Sequence, residues 1–379
     1  MELRTRQRIF LSAFFFLSGV CFSTWASRIP TIKVAFDYSD AMLGTVLLFM
    51  PISSLMGLPV SGWLVSRYDS RVPLTAGFIM MAIALTLIGF AVNTFMLIAS
   101  ICIFSFGLRI LNISMNTQAI TLQKKFDKKI NGSFHGLWST GGICGVGIST
   151  LFVAWQVPMF IHLLIISVVT MVATFFCSRH LIQNDKAPSG NKLVIGKPDP
   201  YIVYLGLLVF MAAICEGGMF DWSGVYFKEI VHEEIFTLGY LLFMIFMALS
   251  RFASDKLVER LGMPINYIIS SCLIVSGIGL ATLFPTFWPS MIGFCLVGFG
   301  TAAVIPMTFL LAGNATKYSA GMTISIIATY SIVGMLIGPP LIGYLSQAFS
   351  LRVAFALFAV AGAMLIPISR LFFGIKQQE

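Results

Sequence analysis

The sequence predicts an all-α membrane protein of twelve transmembrane helices in two pseudo-twofold six-helix bundles. Hydrophobic residues make up 58% of the 379 residues and charged residues only 10%, against roughly 25% charge in soluble domains, and the mean hydropathy is +0.93. The apolar residues come in runs of about 20, enough to cross about 30 Å of hydrocarbon at 1.5 Å per helical residue. The pattern of these runs repeats at an offset of about half the chain. Twelve spans of about 22 residues use about 264 residues, which leaves no room for a soluble catalytic domain.

Polar and turn residues delimit the spans in order. Span 1 (9–30) follows basic Arg4, Arg6 and Arg8; this start mimics a secretory signal, but the apolar run continues too far and has a counterpart later in the chain. Spans 2 (42–64), 3 (74–92), 4 (96–120), 5 (134–155) and 6 (158–178) follow with connections mostly under a dozen residues, so successive helices run up and down. Gln183 to Pro200 holds Asn184, Asp185, Pro188, Ser189, Gly190, Asn191, Pro198 and Pro200, the composition of a linker. Spans 7 (201–226), 8 (236–254), 9 (265–284), 10 (288–312), 11 (319–345) and 12 (352–372) complete the set. The expected division is a bundle at 1–182, a cytoplasmic linker at 183–200 and a second bundle at 201–379.

A net charge of +9 would suggest a nucleic-acid partner if the basic residues formed one stripe, but they sit at span ends. With the amino terminus inside, Arg28, Lys33, Lys228 and Arg352 fall outside and Arg109 within a span, leaving 19 of 24 Lys and Arg on the cytoplasmic side, Arg251 among them. The positive-inside rule then predicts both termini in the cytoplasm and a multi-pass protein of the plasma (inner) membrane. The seven cysteines are scattered singly through apolar runs and read as small buried hydrophobes. No metal cluster, P-loop or hydrolytic triad stands out: the glycine runs at 141–147 and 334–343 lack the strand context and Lys-Ser/Thr of a phosphate loop and read as close helix packing. No cofactor and no enzymatic activity are expected.

The repeat is carried by matched residues. Leu64-Val65-Ser66-Arg67 after span 2 matches Leu257-Val258-Glu259-Arg260 after span 8, and Phe106-Gly107 matches Phe299-Gly300, both at an offset of 193; Ser139 and Gly142 align with Ser331 and Gly334 after one residue of slippage. Two copies in one orientation point to parallel repeats about an axis along the membrane normal. On these residues the chain resembles the major facilitator superfamily of secondary transporters over essentially its whole length. That family's loop signature after span 2 is present as Gly62, Leu64, Arg67 and Arg71, with Ser66 in place of its Asp and Asp69 in place of its Gly. Asn116 of span 4, with His135-Gly136 and Trp138-Ser139 opening span 5, look like the fucose/hexose permease branch and its small rhizopine-transporter-like relatives. The span 4 carboxylate of that branch is replaced by Asn112 and its span 1 acid falls near Ala26, so sugar–proton symport does not carry over directly.

Charges inside a bilayer persist when paired or facing the interior, which singles out Arg28, Arg109, Glu216 and Asp221. Arg28 and Asp221 correspond at the offset of 193; they either pair as an outer gate or sit at the water interface with Trp25 and Trp222 as belt anchors. Glu216, flanked by Gly217 and Gly218, is the candidate proton-coupling group, with partnership to Arg109 or an interfacial place as alternatives; Arg109 is a substrate- or proton-site modulator or a buried cation tied to carbonyls and a carboxylate. Arg67 and Arg71 inherit from the resemblance a role in the inward gate. Asn112 and Asn116 share a helical face, and with Gln118, Trp138, Ser139, Tyr330 and Ser331 they form the expected surface for a small polyhydroxylated ligand.

The reading is a secondary transporter that moves a small polar solute, sugar or sugar-like, by alternating access, with protons as the candidate coupling ion and as a monomer in the bilayer. An exporter of amphipathic compounds is the rival within transport, and a non-transporting membrane scaffold or enzyme the rival outside it. The topology has a direct test: a cysteine placed at Ser189 should resist labelling from outside intact cells and accept it in inverted vesicles, and the opposite pattern overturns the orientation.

Overall fold

The computed structural model describes residues 2–126, 130–183, 185, 199–312 and 320–376, and no strand occurs among them. The first half supplies α1 (Leu3–Ala35), α2 (Asp40–Arg67), α3 (Arg71–Gly89), α4 (Thr94–Gln123), α5 (Asn131–Ala154) and α6 (Met159–Ser178). The second supplies α7 (Pro200–Glu229), α8 (Thr237–Leu261), α9 (Met263–Leu283), α10 (Phe287–Ala302), α11 (Val304–Ala312), α12 (Ala320–Ala348), α13 (Leu351–Ala354) and α14 (Ala356–Lys376). Among the described residues eleven stretches are long and apolar enough to cross a membrane, and α8 holds a shorter apolar segment, Thr237–Arg251. The expected linker lies outside the described residues apart from Gln183, Asp185, Asp199 and Pro200.

Local chemistry sets the helix ends. The Asn93 side chain accepts from Met96 N at the start of α4, Asp199 accepts from Tyr201 N ahead of Pro200 in α7, and Ser350 accepts from Val353 N at α13, each supplying one donor of a first turn with its missing partner. At the far end of α9, Arg352 donates to the carbonyls of Thr282 and Leu283, a cation on a helix C-terminus. Span 10 is two helices rather than one. Pro306 has no N–H for the Ala302 carbonyl, and the helix breaks at Ala303.

The chain divides into two compact units, one holding Met1–Phe36 and Phe49–Val194, the other Asp37–Leu48 and Ile195–Glu379. The segment Asp37–Leu48 therefore departs from a simple division at the middle of the chain. Within the second unit Ser346 Oγ donates to Asp40 Oδ2, the Thr45 and Tyr344 hydroxyls are 3.0 Å apart, and a Cβ on Gly44 would meet the Pro340 Cα at 3.1 Å.

Packing inside each unit repeats the same device. In lipid, helices associate through close van der Waals contact, which small residues permit. A Cβ on Gly141 of α5 would stand 2.0 Å from the Phe16 carbonyl oxygen of α1, and one on Gly145 would stand 2.7 Å from that of Val20. In the second unit a Cβ on Gly334 of α12 would lie 2.7 Å from the Phe210 carbonyl oxygen of α7, with Gly338 over Ile214. Gly107 of α4 approaches the Gly77 carbonyl of α3, and Gly300 of α10 that of Ser270 in α9. Gly107 and Gly300 pair at the offset of 193 expected from the sequence, and the contacts pair Gly141 with Gly334 and Gly145 with Gly338 at the same offset, in place of the slipped match of Gly142 with Gly334. Gly141→Val should lower the thermal midpoint of the purified protein by several degrees or abolish monodisperse expression, since overpacking costs about 1–3 kcal/mol and here meets backbone. Gly147→Val, with nothing within 4 Å, should leave both unchanged; equal behaviour of the two variants in a melting assay would refute this account of the α1–α5 contact.

Candidate functional site

Charged side chains in the membrane-spanning helices define the candidate site, because each must find a partner or water. In the second unit Glu216, midway along the 30-residue α7, accepts from Arg251 Nη2 of α8 at 3.1 Å. The Glu216 side chain is 7% exposed and that of Arg251 31%, so the pair is buried at its carboxylate end and open at its guanidinium. The sequence reading runs span 8 to residue 254 and counts Arg251 with the cytoplasmic cations; the structure gives that residue a carboxylate partner on α7. It also settles the partner of Glu216 within its own unit. The glycines beside Glu216 do not loosen α7: a Cβ on Gly218 would collide with the Phe358 ring at 2.3 Å and one on Gly217 would touch Met335 at 3.3 Å, so they admit side chains of neighbouring helices while the helix stays continuous.

In the first unit Arg28 is 4% exposed. Its Nε donates to His162 Nδ1 at 3.0 Å and an Nη to the Val157 carbonyl at 3.0 Å. His162 is therefore held as an acceptor at Nδ1, and it lies edge-on to Phe152. Trp25 and Trp222 are 1% and 0% exposed, and the Trp222 indole donates to the Pro339 carbonyl; buried rings cannot serve as interfacial belt anchors, so that reading of the two tryptophans is corrected. Asp221 makes no hydrogen bond or ion pair among the described residues of its unit.

Arg109 stands at the midpoint of α4, and its Nε donates to Ser54 Oγ of α2 at 2.8 Å. A Cβ on Gly57 would sit 3.2 Å from the Arg109 Cβ and Cγ, so that glycine makes room for the stem. Further along α4, Asn116 Nδ2 donates to the Asn112 carbonyl at 2.8 Å. Arg109, Asn112 and Asn116 are half-buried and share a stripe off the α4 face occupied by Leu97, Ile101, Phe104, Leu111 and Ala119 in the bundle core.

Gln118 departs from the sequence expectation. Its Nε2 donates to Ser70 Oγ at 2.7 Å and to the Ile182 carbonyl at 2.9 Å, while Oε1 accepts from Ile182 N at 3.0 Å. Ser70 in turn donates through N, at 2.9 Å, and through Oγ to the Asp185 carboxylate. With the amide committed and buried, Gln118 clamps the α2–α3 turn to the segment after α6 rather than presenting donors to a solute. Arg67 is exposed and Arg71 half-buried, and neither makes a side-chain bond among the described residues.

The remaining aromatic and hydroxyl positions divide by unit. Trp138 lies 6.0 Å from the Phe22 ring, and Ser139 donates back to the His135 carbonyl. Tyr330 packs on Gly206 of α7, where a Cβ would meet the ring at 2.7 Å, and it borders a cavity of about 390 Å³ with Leu207, Phe210, Thr329, Val333 and Ile337. Ser331 follows, half-buried. No group of three metal-ligating side chains occurs among the described residues. The residues that sequence reasoning missed are Arg251 and His162. A lone Arg at the end of a 15-residue apolar run in α8 was a signal for the first; nothing in the pattern marks the second.

A sequence profile of the Major Facilitator Superfamily matches residues 9–329. An uncharacterized MFS-type transporter of Yersinia pestis is 30% identical over 350 residues, covering 91% of this chain and 90% of that one. The membrane protein MosC of Rhizobium meliloti is 29% identical over 367 residues, covering 95% and 88%. Among solved structures, the nucleoside transporter NupG superposes with a TM-score of 0.79 at 12% identity over 99% of both chains. A bacterial homolog of the human lysosomal transporter Spinster, inward-facing and unoccupied, does so with a TM-score of 0.76 at 14% identity over 99% and 98%. At these identities the structures report the fold, and the family match over most of the length makes the chain a member of the Major Facilitator Superfamily, a multi-pass membrane transporter.

Proposed function

We propose that this transporter moves a small polar organic solute, sugar or sugar-like, across the cell membrane by alternating access, with Glu216 as the proton-coupling group. The observation that carries the reading is the Glu216–Arg251 pair at mid-depth in α7 and α8. A carboxylate out of water costs several kcal/mol when charged and unpaired, so any state that draws the two apart favours the protonated acid. Proton uptake is thereby linked to the rearrangement of α7 against α8. The half-buried amides of Asn112 and Asn116, with Trp138 and Ser139 in one unit and Tyr330 and Ser331 in the other, supply the hydrogen-bonding and aromatic surfaces such a solute needs. Asn116 and Trp138-Ser139 also support the fucose/hexose permease and rhizopine-like branch.

In this reading the termini face the cytoplasm, Arg67 and Arg71 serve the inner gate, and Asp221 with Arg28 serves the outer one alongside the Asp40–Ser346 clasp. The protein works as a monomer that carries protons with its substrate. One observation favours the rival within transport. The wall of the cavity beside Tyr330 is apolar, with Leu207, Phe210, Val333 and Ile337, and it suits a solute with a hydrocarbon face, as an exporter of amphipathic compounds would carry. Uptake of labelled solutes into proteoliposomes with and without a pH gradient separates the two.

Two predictions test the coupling pair. Glu216→Gln keeps the shape and removes titration; gradient-driven accumulation should vanish while binding and counterflow exchange persist, and normal accumulation by this variant would make the carboxylate structural. Arg251→Leu should cost about 2–3 kcal/mol, below the range for fully buried pairs because the guanidinium is part-exposed, and so lower the melting midpoint by roughly 5 °C. Adding Glu216→Gln to Arg251→Leu should recover most of that loss; a double variant no more stable than the single one would show that the ion pair is not what Arg251 contributes.

A further inference from the structure

The first unit carries its charge in an unbalanced form. Spans 1 to 6 contain Arg28 and Arg109 and no Asp or Glu. Arg28 commits Nε to His162 and one Nη to the Val157 carbonyl and is closed off at 4% exposure. Arg109 differs: Nε is braced by Ser54 at 2.8 Å, the stem rests on Gly57, and both Nη groups are left without a partner among the described residues.

The setting of Arg109 narrows what those Nη groups are for. It lies at the midpoint of α4, on the stripe with Asn112 and Asn116 that turns away from the bundle core. A guanidinium at that depth facing hydrocarbon would be very costly, so the stripe faces water or a ligand. Bracing at Nε fixes the plane of the fork and leaves the Nη edge presented, and that edge matches a carboxylate in bidentate geometry better than it matches a hydroxyl. A neutral sugar would leave the cation uncompensated in the occluded state. An organic acid would supply the counter-charge itself, with the Asn112 side chain one turn away to meet its hydroxyls.

Building on the proposed polar solute, we infer that Arg109, positioned by Ser54, binds a carboxylate of the transported molecule, and that the substrate class is a small hydroxylated organic acid. The charge-bearing contact is then made by the first unit.

The test uses the full chain in proteoliposomes and in detergent, with D-gluconate, D-glucose and D-glucosamine as probes of one size and three charges. Gluconate should raise the melting midpoint and exchange in counterflow, with glucose and glucosamine weaker by at least about tenfold. Arg109→Gln should weaken gluconate by about 10- to 100-fold, the range expected for losing hydrogen bonds from a charged group. Arg109→Lys should retain part of the affinity, and Ser54→Ala should weaken gluconate and narrow, without reversing, the preference for it over glucose. These last two variants keep a cation at the site and guard against a folding defect in the first. Transport of glucose or glucosamine in preference to gluconate overturns the inference while leaving a polar-solute transporter standing. Gluconate binding that is unchanged in Arg109→Gln also overturns it. Failure of all three probes to bind or move removes the polar-solute reading and this inference together.

Discussion

Hydrocarbon offers a charged side chain neither water nor counter-ion, and the arrangement of this protein's interior follows from how five charges that interrupt the apolar stretches meet that constraint. Glu216 and Arg251 answer each other at 3.1 Å. Arg28 meets two neutral acceptors, His162 Nδ1 and the Val157 carbonyl. Arg109 has a hydroxyl at Nε and open donors beyond it, and Asp221 has no partner among the described residues of its unit. A fully compensated interior would be a stable scaffold with nothing to exchange with its surroundings. The incomplete compensation, distributed unevenly between the units, is what distinguishes a transporter's interior from a structural one.

The rest of the packing depends on backbone approaching backbone. Lipid is as apolar as leucine, so burial alone does not drive helices together, and the contacts that count are those where a missing Cβ lets two ladders touch. Serine hydroxyls reinforce these approaches: Ser53 donates to the Cys102 carbonyl at 2.7 Å, Ser105 to that of Met50 at 2.5 Å, and Ser250 to that of Phe299 at 2.7 Å. The helix α2 is the exception to tidy division. Its opening turns pack with the second unit and its remainder with the first, and the boundary falls between Leu48 and Phe49. Pro51, two residues on, has no N–H for the Leu47 carbonyl, so the ladder loses a bond close to that boundary, as it does again at Pro59.

Most of the architecture was legible because it rests on local rules. Twenty-residue apolar runs, basic clusters at their ends and a matched offset lead to helices and bundles without any tertiary information, and Glu216 was conspicuous as an acid in such a run. What escaped depends on side chains meeting across helices. Arg251, near the end of span 8, reads as one more cytoplasmic cation, and its carboxylate partner on the neighbouring helix is visible only in the fold. Gln118 looked like a ligand-binding amide on α4, and only the fold shows Ile182, Ser70 and Asp185 converging on it. Gly217 and Gly218 were legible as small; that the space belongs to Met335 and Phe358 was not.

The repeat shows which part of the molecule answers to a general demand and which to a particular one. At the offset of 193, Gly107, Gly141 and Gly145 recur as Gly300, Gly334 and Gly338, each again beneath a neighbouring backbone. The charges do not recur: Glu216 falls opposite Ser23, Arg251 opposite Leu58, Arg109 opposite Ala302, and Asp221 opposite a residue of inverted sign, Arg28. Close approach of helices is needed equally in both halves, so the glycines that permit it stay paired. A charge inside the bilayer must be compensated wherever it stands, and nothing in helix packing requires it to stand at the same place in both halves. The departures from the repeat are where the proposed proton and solute chemistry is placed, with Arg109 in one unit and the Glu216–Arg251 pair in the other.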